Sequence, residues 1–354
     1  MTLRQLTLVK HGLASYHHIE DGIQRAAERI PDLDLRIHDL HSHYLKYRNG
    51  ANGKSESACM ALAVDSLLKD ILNDSNQTLL LLNGFLLERH KRGFFATLKH
   101  FDRTIIAWQI DDPYYIDFAP LIIDGVDLLL TVDSSAIPIY KELGKQAHLF
   151  PLACDPFIHH PYDAGDYSYE SDICFIGTPF AGSQRVQTID HISTALSSYH
   201  TRILGASSID LWKNNLTNAS ILNNNIQDIR VSPTVAARFF SRAKINLNLH
   251  KDSYGHVWDR NKHKIEAQSP CERTFAIAGC RGFQLVDNSR KDLSTFFSPN
   301  NELVVFNDSN DLKQKLVYYL KHDDRRNEIA QAGYRIAISQ HTYLHRLRDI
   351  LALL

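Results

Sequence analysis

The stretch SPCERTFAIAGCRGFQLVD, residues 269–287, decides how this chain is read. Its first half has the small and apolar residues of a short helix. Its second half, with Phe283, Leu285 and Val286, reads as a strand buried on both faces. The Gly279 and Gly282 pair marks the point where helix gives way to strand. Ser269 followed by Pro270 predicts the helix start, with Ser269 capping free amides. Arg273 and Thr274 then fall in the first turn, where unpaired N–H groups already favour anions and an arginine adds a mobile cation. A diphosphate suits such a turn.

Outward from this stretch the same alternation recurs. In the first half, LTLV (6–9), LDLRIHDL (33–40), TLLLLN (78–83), RTIIAWQI (103–110), VDLLLTV (126–132) and AHLFPLA (147–153) are apolar runs separated by helix-length segments. Continuous apolar strands of this kind predict a parallel sheet covered on both faces by helices. SSAIPIYKELG (134–144) is the helix between two of them, with Ser134 or Ser135 as cap and Gly144 as terminator. A second series begins at SDICFIGTPF and continues through TRILGA (201–206) and KINLNLH (244–250) to FQLVD and ELVVF. Between the two series, DPFIHHPYDAGDYSYES (155–171) loses apolar periodicity and reads as an interdomain linker, about which the domains are expected to rotate. The asparagine-rich stretch from Lys213 to Asp228 reads as loop, and the chain from Ser309 onward as mostly helical.

Length and composition set the bounds. The 354 residues suit two domains, since single cores seldom grow much beyond ~250–300 residues. A net charge of −1, from 39 basic and 40 acidic side chains, excludes a bulk field that attracts nucleic acid or anionic lipid, so anion affinity must be local. Five cysteines without a CxxC pair predict neither a disulfide framework nor a zinc ribbon, and fit a reducing cytoplasm. No signal peptide is visible at the start, and TLLLLNGFLL (78–87) falls short of the ~20 apolar residues that cross a bilayer. The 19 histidines lack partners at ligand spacing, so no metal site is expected.

Four clusters carry candidate chemistry. In FIGTPFAGSQR (175–185), Gly177 allows backbone amides close to an anion and Arg185 adds charge. The loop HKDSYGHVWDRNKHKIEAQSPCERT (250–274) holds Lys251, Arg260, Lys262, Lys264 and Arg273 and leads into the helix start, an arrangement suited to a departing diphosphate. QIDDPYY (109–115) sets Asp111 and Asp112 at a strand end, either to orient or deprotonate an acceptor or to cap a proline turn. His11 and Gly12 follow the first strand on the same edge. HTYLHRL, near the chain's end, places His341 and His345 on one helical face, with packing as the expected role.

The order of these pieces, together with QIDDPYY and the closing HTYLHRL, resembles the CgeB-like glycosyltransferases, best over residues 170–350. The resemblance implies an α/β fold of GT-B type: two Rossmann-like domains facing across a cleft, here 1–160 and 170–335. It also implies a C-terminal helix, 336–354, that crosses back to the first domain. It implies a nucleotide-diphosphate sugar donor on the second domain, held by Gly177, Arg185, Arg260, Lys264, Ser269, Glu272, Arg273 and Thr274, with no cofactor and no metal. Asp111, Asp112 and His11 would serve an acceptor that is protein, glycan, lipid or small molecule. Related transferases read Arg, any residue, Phe, Glu at this point, with the carboxylate on the donor ribose; here Ala276 stands in the glutamate's place. Two other readings keep the same fold: a non-catalytic binding or assembly protein, and a nucleotide-sugar epimerase.

Overall fold

The structure, a computed structural model, describes residues 4–12, 16–50, 55–163, 165, 167–205, 209–227 and 231–354. The chain folds as two compact units. The first comprises Met1–Pro151, Trp258–Ala267 and Tyr343–Leu354, and the second Leu152–Val257 and Gln268–Thr342.

The first unit is built on a six-stranded sheet of β1 (Arg4–Lys10), β2 (Leu33–Asp39), β3 (Thr78–Leu82), β4 (Thr104–Gln109), β5 (Leu128–Thr131) and β6 (Ala147–Leu149). The order is β2-β1-β3-β4-β5-β6, and every pair is parallel. Leu79, Leu81, Ile105, Ala107 and Leu129 meet Val64, Leu67, Phe94 and Leu98 from the flanking helices in one core. Burial on both faces is why β3 and β4 read as unbroken apolar runs.

The second unit has a five-stranded parallel sheet of β7 (Ser171–Ile176), β8 (Thr201–Leu204), β9 (Ala243–Asn248), β10 (Gln284–Asp287) and β11 (Val304–Phe306), in the order β11-β10-β9-β7-β8. Both sheets therefore wind outward from their first strand to the second, then cross back to place the third on the other side. The winding reverses between β1 and β3 in one unit and between β7 and β9 in the other. In open α/β sheets, ligands bind beyond the carboxyl ends of the strands at such a reversal.

Several details depart from the expectation. The helix after residue 269 runs Glu272–Gly279 with Cys271 as its N-cap residue. Ser269 does not cap it, because its hydroxyl donates to Asp292 Oδ2 at 2.6 Å. The asparagine-rich segment is entered by a helix, Ile209–Asn215, because Trp212 is fully buried there, edge-on to Phe175. Asp228 lies outside the described residues. Much of the expected linker packs on the second unit: Ile158, Tyr162 and Tyr169 lie against a core of Leu204, Phe240 and Ile277. The chain passes between units after Pro151, Val257, Ala267 and Thr342.

The C-terminal segment is two helices, Asp323–Gln340 and Tyr343–Ala352, and the first belongs to the second unit. A parallel bridge between Cys154 and Thr342 draws the chain out of helical geometry between them. His341 and His345 consequently do not share a helical face. The His341 ring sits among Phe275, Phe296 and Phe297, and its Nε2 lies 3.0 Å from the Phe296 carbonyl.

Gly282 lets the strand pass close to its neighbours: a Cβ there would lie 2.5 Å from the Phe240 carbonyl oxygen and 2.8 Å from Asn246 Nδ2. Gly282→Ala is expected to destabilise the second unit by about 1–3 kcal/mol, the usual range for overpacking. Urea denaturation of the full chain reads this as a lowered midpoint, and an unchanged midpoint would mean that the backbone gives way there at no cost.

Candidate functional site

The reversal in the second sheet is held by two arginines. Arg273, in the first turn of the Glu272–Gly279 helix, donates from Nε to Asn248 Oδ1 (2.9 Å), from Nη1 to the Ile176 carbonyl (3.0 Å) and from Nη2 to the Leu249 carbonyl (2.6 Å). It thus ties the end of β7 to the end of β9. Arg185 donates from Nε and Nη2 to the same Leu249 carbonyl (3.1 and 2.9 Å) and from Nη1 to the Thr178 carbonyl (2.8 Å). The guanidinium carbons stand 5.6 Å (Arg185) and 5.8 Å (Arg273) from the Phe175 ring centre.

Gly177 lies between these arginines. A Cβ on it would be 3.3 Å from Nη1 of each and 2.9 Å from Phe175 Cζ, so a larger residue would push Phe175 and both guanidinium groups aside. Two like charges converging on one carbonyl leave positive potential at the strand ends. Arg273 has five N–H donors and commits three of them to the bonds above, so donors on Nη1 and Nη2 remain for an anion. The first-turn amides of its helix add to the same field.

Asn248 fixes Arg273. Its Nδ2 donates to Thr274 Oγ1 and to Gln284 Oε1, both at 2.9 Å, leaving Oδ1 for the arginine. Thr274, expected at the ligand, is instead fully buried and aligns Arg273 indirectly. Glu272 is partly exposed in the first turn. Ala276 lies in the core with Cys174 and Leu204, so a carboxylate in its place would be desolvated rather than presented.

Next to this cluster, the buried His250 ring approaches Asp287: Nδ1 is 3.2 Å from both carboxylate oxygens, and the His250 amide donates to Oδ2 at 2.6 Å. Burial disfavours the charged forms, but the pairing prevails, raising the pKa of His250 and lowering that of Asp287. Asp287 was readable in the sequence as an acid at a strand end, but neither its pairing with His250 nor Asn248 was. The signal was present in KINLNLH: asparagines inside an apolar strand must find partners once buried.

Arg260 and Lys264 fold with the first unit, in the segment Trp258–Ala267. The Arg260 amide donates to the Tyr114 carbonyl at 2.7 Å, and its own carbonyl accepts from the Asp117 amide at 2.9 Å. Lys264 takes a left-handed backbone (φ 55°) and its amide donates to the Asn261 carbonyl at 3.0 Å. The long cationic loop is therefore divided between units, with Arg273 alone of these three in the second.

In the first unit the corresponding reversal is occupied by His11, beyond β1. Its Nε2 meets the Leu82 carbonyl at the end of β3, which fixes the proton on that nitrogen. Nδ1 then carries the lone pair, and it is buried with no hydrogen-bond partner among the described residues. Burial is the main cause that lowers the pKa to about 4, so the ring is neutral at pH 7. Glu20, buried behind it, accepts from the His11 and Gly12 amides at 2.6 and 3.2 Å and sets the turn.

The two acids after β4 separate in role. Asp111 faces the strand edge and accepts from Tyr16 Oη and from Asn83 Nδ2 (2.6 Å). Asp112, joined to Pro113 by a cis peptide, turns inward and accepts from Thr131 Oγ1 (2.7 Å) and Tyr140 Oη (3.0 Å). Burial pushes the Asp112 carboxyl up to about 7 against the pull of these two donors. Asp112 thus holds the proline turn, whereas Asp111 stays partly exposed at the strand end. Tyr16 and Asn83 have no motif around them and were not legible in sequence.

A raised folded-state pKa means that the folded protein binds the Asp112 proton more tightly than the unfolded chain does. This contribution to stability is complete below the ordinary carboxyl pKa, about 4, and is lost as pH rises through about 7. Asp112→Asn is therefore expected to gain on the wild type, on the order of a few kcal/mol, between pH 4.5 and pH 7.5. Urea denaturation at the two values tests this, and a gap between the proteins that stays constant would contradict it.

A family model described as "Glycosyl transferase-like" matches residues 185–352. The spore protein CgeB of Bacillus subtilis (strain 168) is 26% identical over 261 residues, 72% of this chain and 77% of that protein. Among solved structures, sucrose-phosphate synthase from Thermosynechococcus elongatus superposes with a TM-score of 0.68 at 9% identity, covering 99% of this chain and 98% of the other. Anabaena HepE in complex with UDP-glucose does so at 0.66 and 10% identity, covering 99% and 100%. A putative UDP-N-acetylglucosamine 2-epimerase from Listeria monocytogenes reaches 0.54 at 11% identity, covering 100% and 96%. The chain thus has the GT-B fold of these solved structures, is similar to the spore protein CgeB, and over residues 185–352 matches the glycosyl transferase-like family model.

Proposed function

We propose that this protein transfers a sugar from a nucleotide-diphosphate donor to an acceptor hydroxyl, with the diphosphate bound at the carboxyl ends of β7 and β9. The observation that carries this reading is the convergence of Arg185 and Arg273 on Gly177 at the reversal in winding, with two guanidinium donors of Arg273 left for phosphate oxygens. The similarity to HepE, whose structure holds UDP-glucose, supports a nucleotide sugar as donor.

In this reading the helix terminus and Arg273 stabilise the charge that builds on the departing nucleoside diphosphate. Fixed cations and amides supply that stabilisation, so a divalent ion is not required. In the first unit, His11 offers the Nδ1 lone pair to the acceptor's proton while Leu82 holds the opposite nitrogen in its protonated form. Asp111, oriented by Tyr16 and Asn83, positions the acceptor. Hydroxyls of proteins, glycans, lipids and small molecules all satisfy this chemistry.

Calorimetric titration with UDP, GDP, dTDP and CDP and their common sugar conjugates, in magnesium and in EDTA, tests the donor reading. Saturable binding of one nucleotide, unaffected by EDTA, is expected. Arg273→Lys keeps the charge but loses the fork that bonds two strand ends and an anion together, and is expected to weaken binding at least tenfold. Retained helical circular dichroism must accompany that loss, because Arg273 also supports the fold. Binding of no nucleotide would favour a non-catalytic protein. Interconversion of the sugar without release of nucleotide would identify an epimerase. With the donor known, His11→Gln is expected to lower kcat by about 100-fold or more while leaving donor affinity unchanged.

A further inference from the structure

An open sheet ends in strands whose outer backbone groups lack a neighbour, and such edges are usually kept short, covered or charged. Three of the four sheet edges here are managed in this way. β6 and β11 are three residues each, and Lys315 Nζ donates to the Val305 carbonyl of β11 at 2.8 Å. β8 is covered by a later segment: the Ile203 amide donates to the Asn225 carbonyl at 2.9 Å, and the Ile203 carbonyl accepts from the Gln227 amide at 3.0 Å. β2 differs. It ends the first unit's sheet, runs seven residues and has none of them buried. Over Leu33–His38 its backbone-to-backbone hydrogen bonds are those to β1, among the described residues. The Asn76 side chain adds a bond to the Asp34 carbonyl at 3.1 Å.

The side chains of β2 alternate between the two faces of the sheet. Asp34, Arg36 and His38 share one face, where Arg36 Nε lies 3.6 Å from Asp34 Oδ1 and the two side chains are 55% and 26% exposed. Leu33, Leu35 and Ile37 share the other, and Ile37 is 38% exposed there. The edge is therefore apolar on one face and carries both signs of charge on the other.

We propose that β2 is a dimerisation edge, on which β2 of a second copy of this chain pairs antiparallel about a two-fold axis through Leu35. A two-fold contact sets the same strand against itself, so the sequence of β2 decides the register. Backbone groups of alternate residues point outward, and opposed residues must therefore share parity, which puts the axis through a residue. An axis at Asp34 or Arg36 sets that residue against its own copy, like charge against like. An axis at Ile37 sets Arg36 against His38 and Leu35 against Asp39. An axis at Leu35 sets Asp34 against Arg36 and Leu33 against Ile37, each twice, so that both faces match. The pairing joins the two six-stranded sheets into one. A strand edge of this length is a small contact, so the association is weak and reversible.

This pairing is independent of the transferase reading, and the test uses no nucleotide. Sedimentation velocity of the full-length protein, from micromolar to near-millimolar concentration, is expected to show a reversible dimer. Arg36→Asp and Asp34→Arg each set like charges opposite one another and are expected to weaken it by about tenfold or more. An equimolar mixture of these two variants is expected to regain the dimer, because each copy then meets only the opposite charge. Thermal-shift profiles establish that the variants are folded. Amide hydrogen exchange needs no variant: protection of Leu33–Ile37 is expected to rise with protein concentration. A wild type that stays monomeric throughout, or a dimer that both variants keep, overturns the proposal. So does exchange at Leu33–Ile37 that is independent of concentration. Loss of the dimer in both variants without recovery in the mixture overturns the Leu35 register.

Discussion

The Leu249 carbonyl is the point on which the second unit's site depends. Two guanidinium groups share this one oxygen, and through it the ends of β7 and β9 are held together beside a glycine that admits both. Hydrogen bonds to charged groups contribute roughly 1.5–3 kcal/mol each, so Arg273, with three of them, is as much a structural tie as a ligand-facing cation. That dual role means that the local fold and the proposed anion site stand or fall together. It also explains why Asn248, Thr274 and Gln284 are buried as a polar set: they fix the arginine's plane.

The two units solve similar problems with different charge. In the second, the reversal of winding gathers Arg185, Arg273 and the His250–Asp287 pair, a setting for an anion. In the first, it gathers a neutral imidazole with an unengaged lone pair and, one strand along, a carboxylate held by Tyr16 and Asn83. One collects negative charge and the other can take up a proton. The strand orders place each set at the carboxyl end of its sheet.

Much of the fold was legible because doubly covered parallel strands leave unbroken apolar runs, and every run read from the sequence became a strand. The helix boundaries were less so. Ser269 has the composition of a cap yet bonds Asp292, and a bridge from Cys154 breaks the last helix at Thr342; both are tertiary effects without a local signature. Arg273, Arg185 and Gly177 were readable from the strand-to-helix turns they occupy, and the structure brings all three together. Arg260 and Lys264 were grouped with them only by nearness in sequence, whereas the fold sends their segment to the other unit. Asn248, Tyr16 and Asn83 gain meaning only from partners far away in the chain.

The central claim is that the Arg273 cluster receives a diphosphate. A crystal structure of the protein grown with UDP addresses it most directly. The account predicts phosphate oxygens within hydrogen-bonding distance of the Arg273 guanidinium and the first-turn amides of its helix, beside Gly177. A nucleotide bound elsewhere on the second unit, with the Arg273 donors facing only solvent, would contradict it.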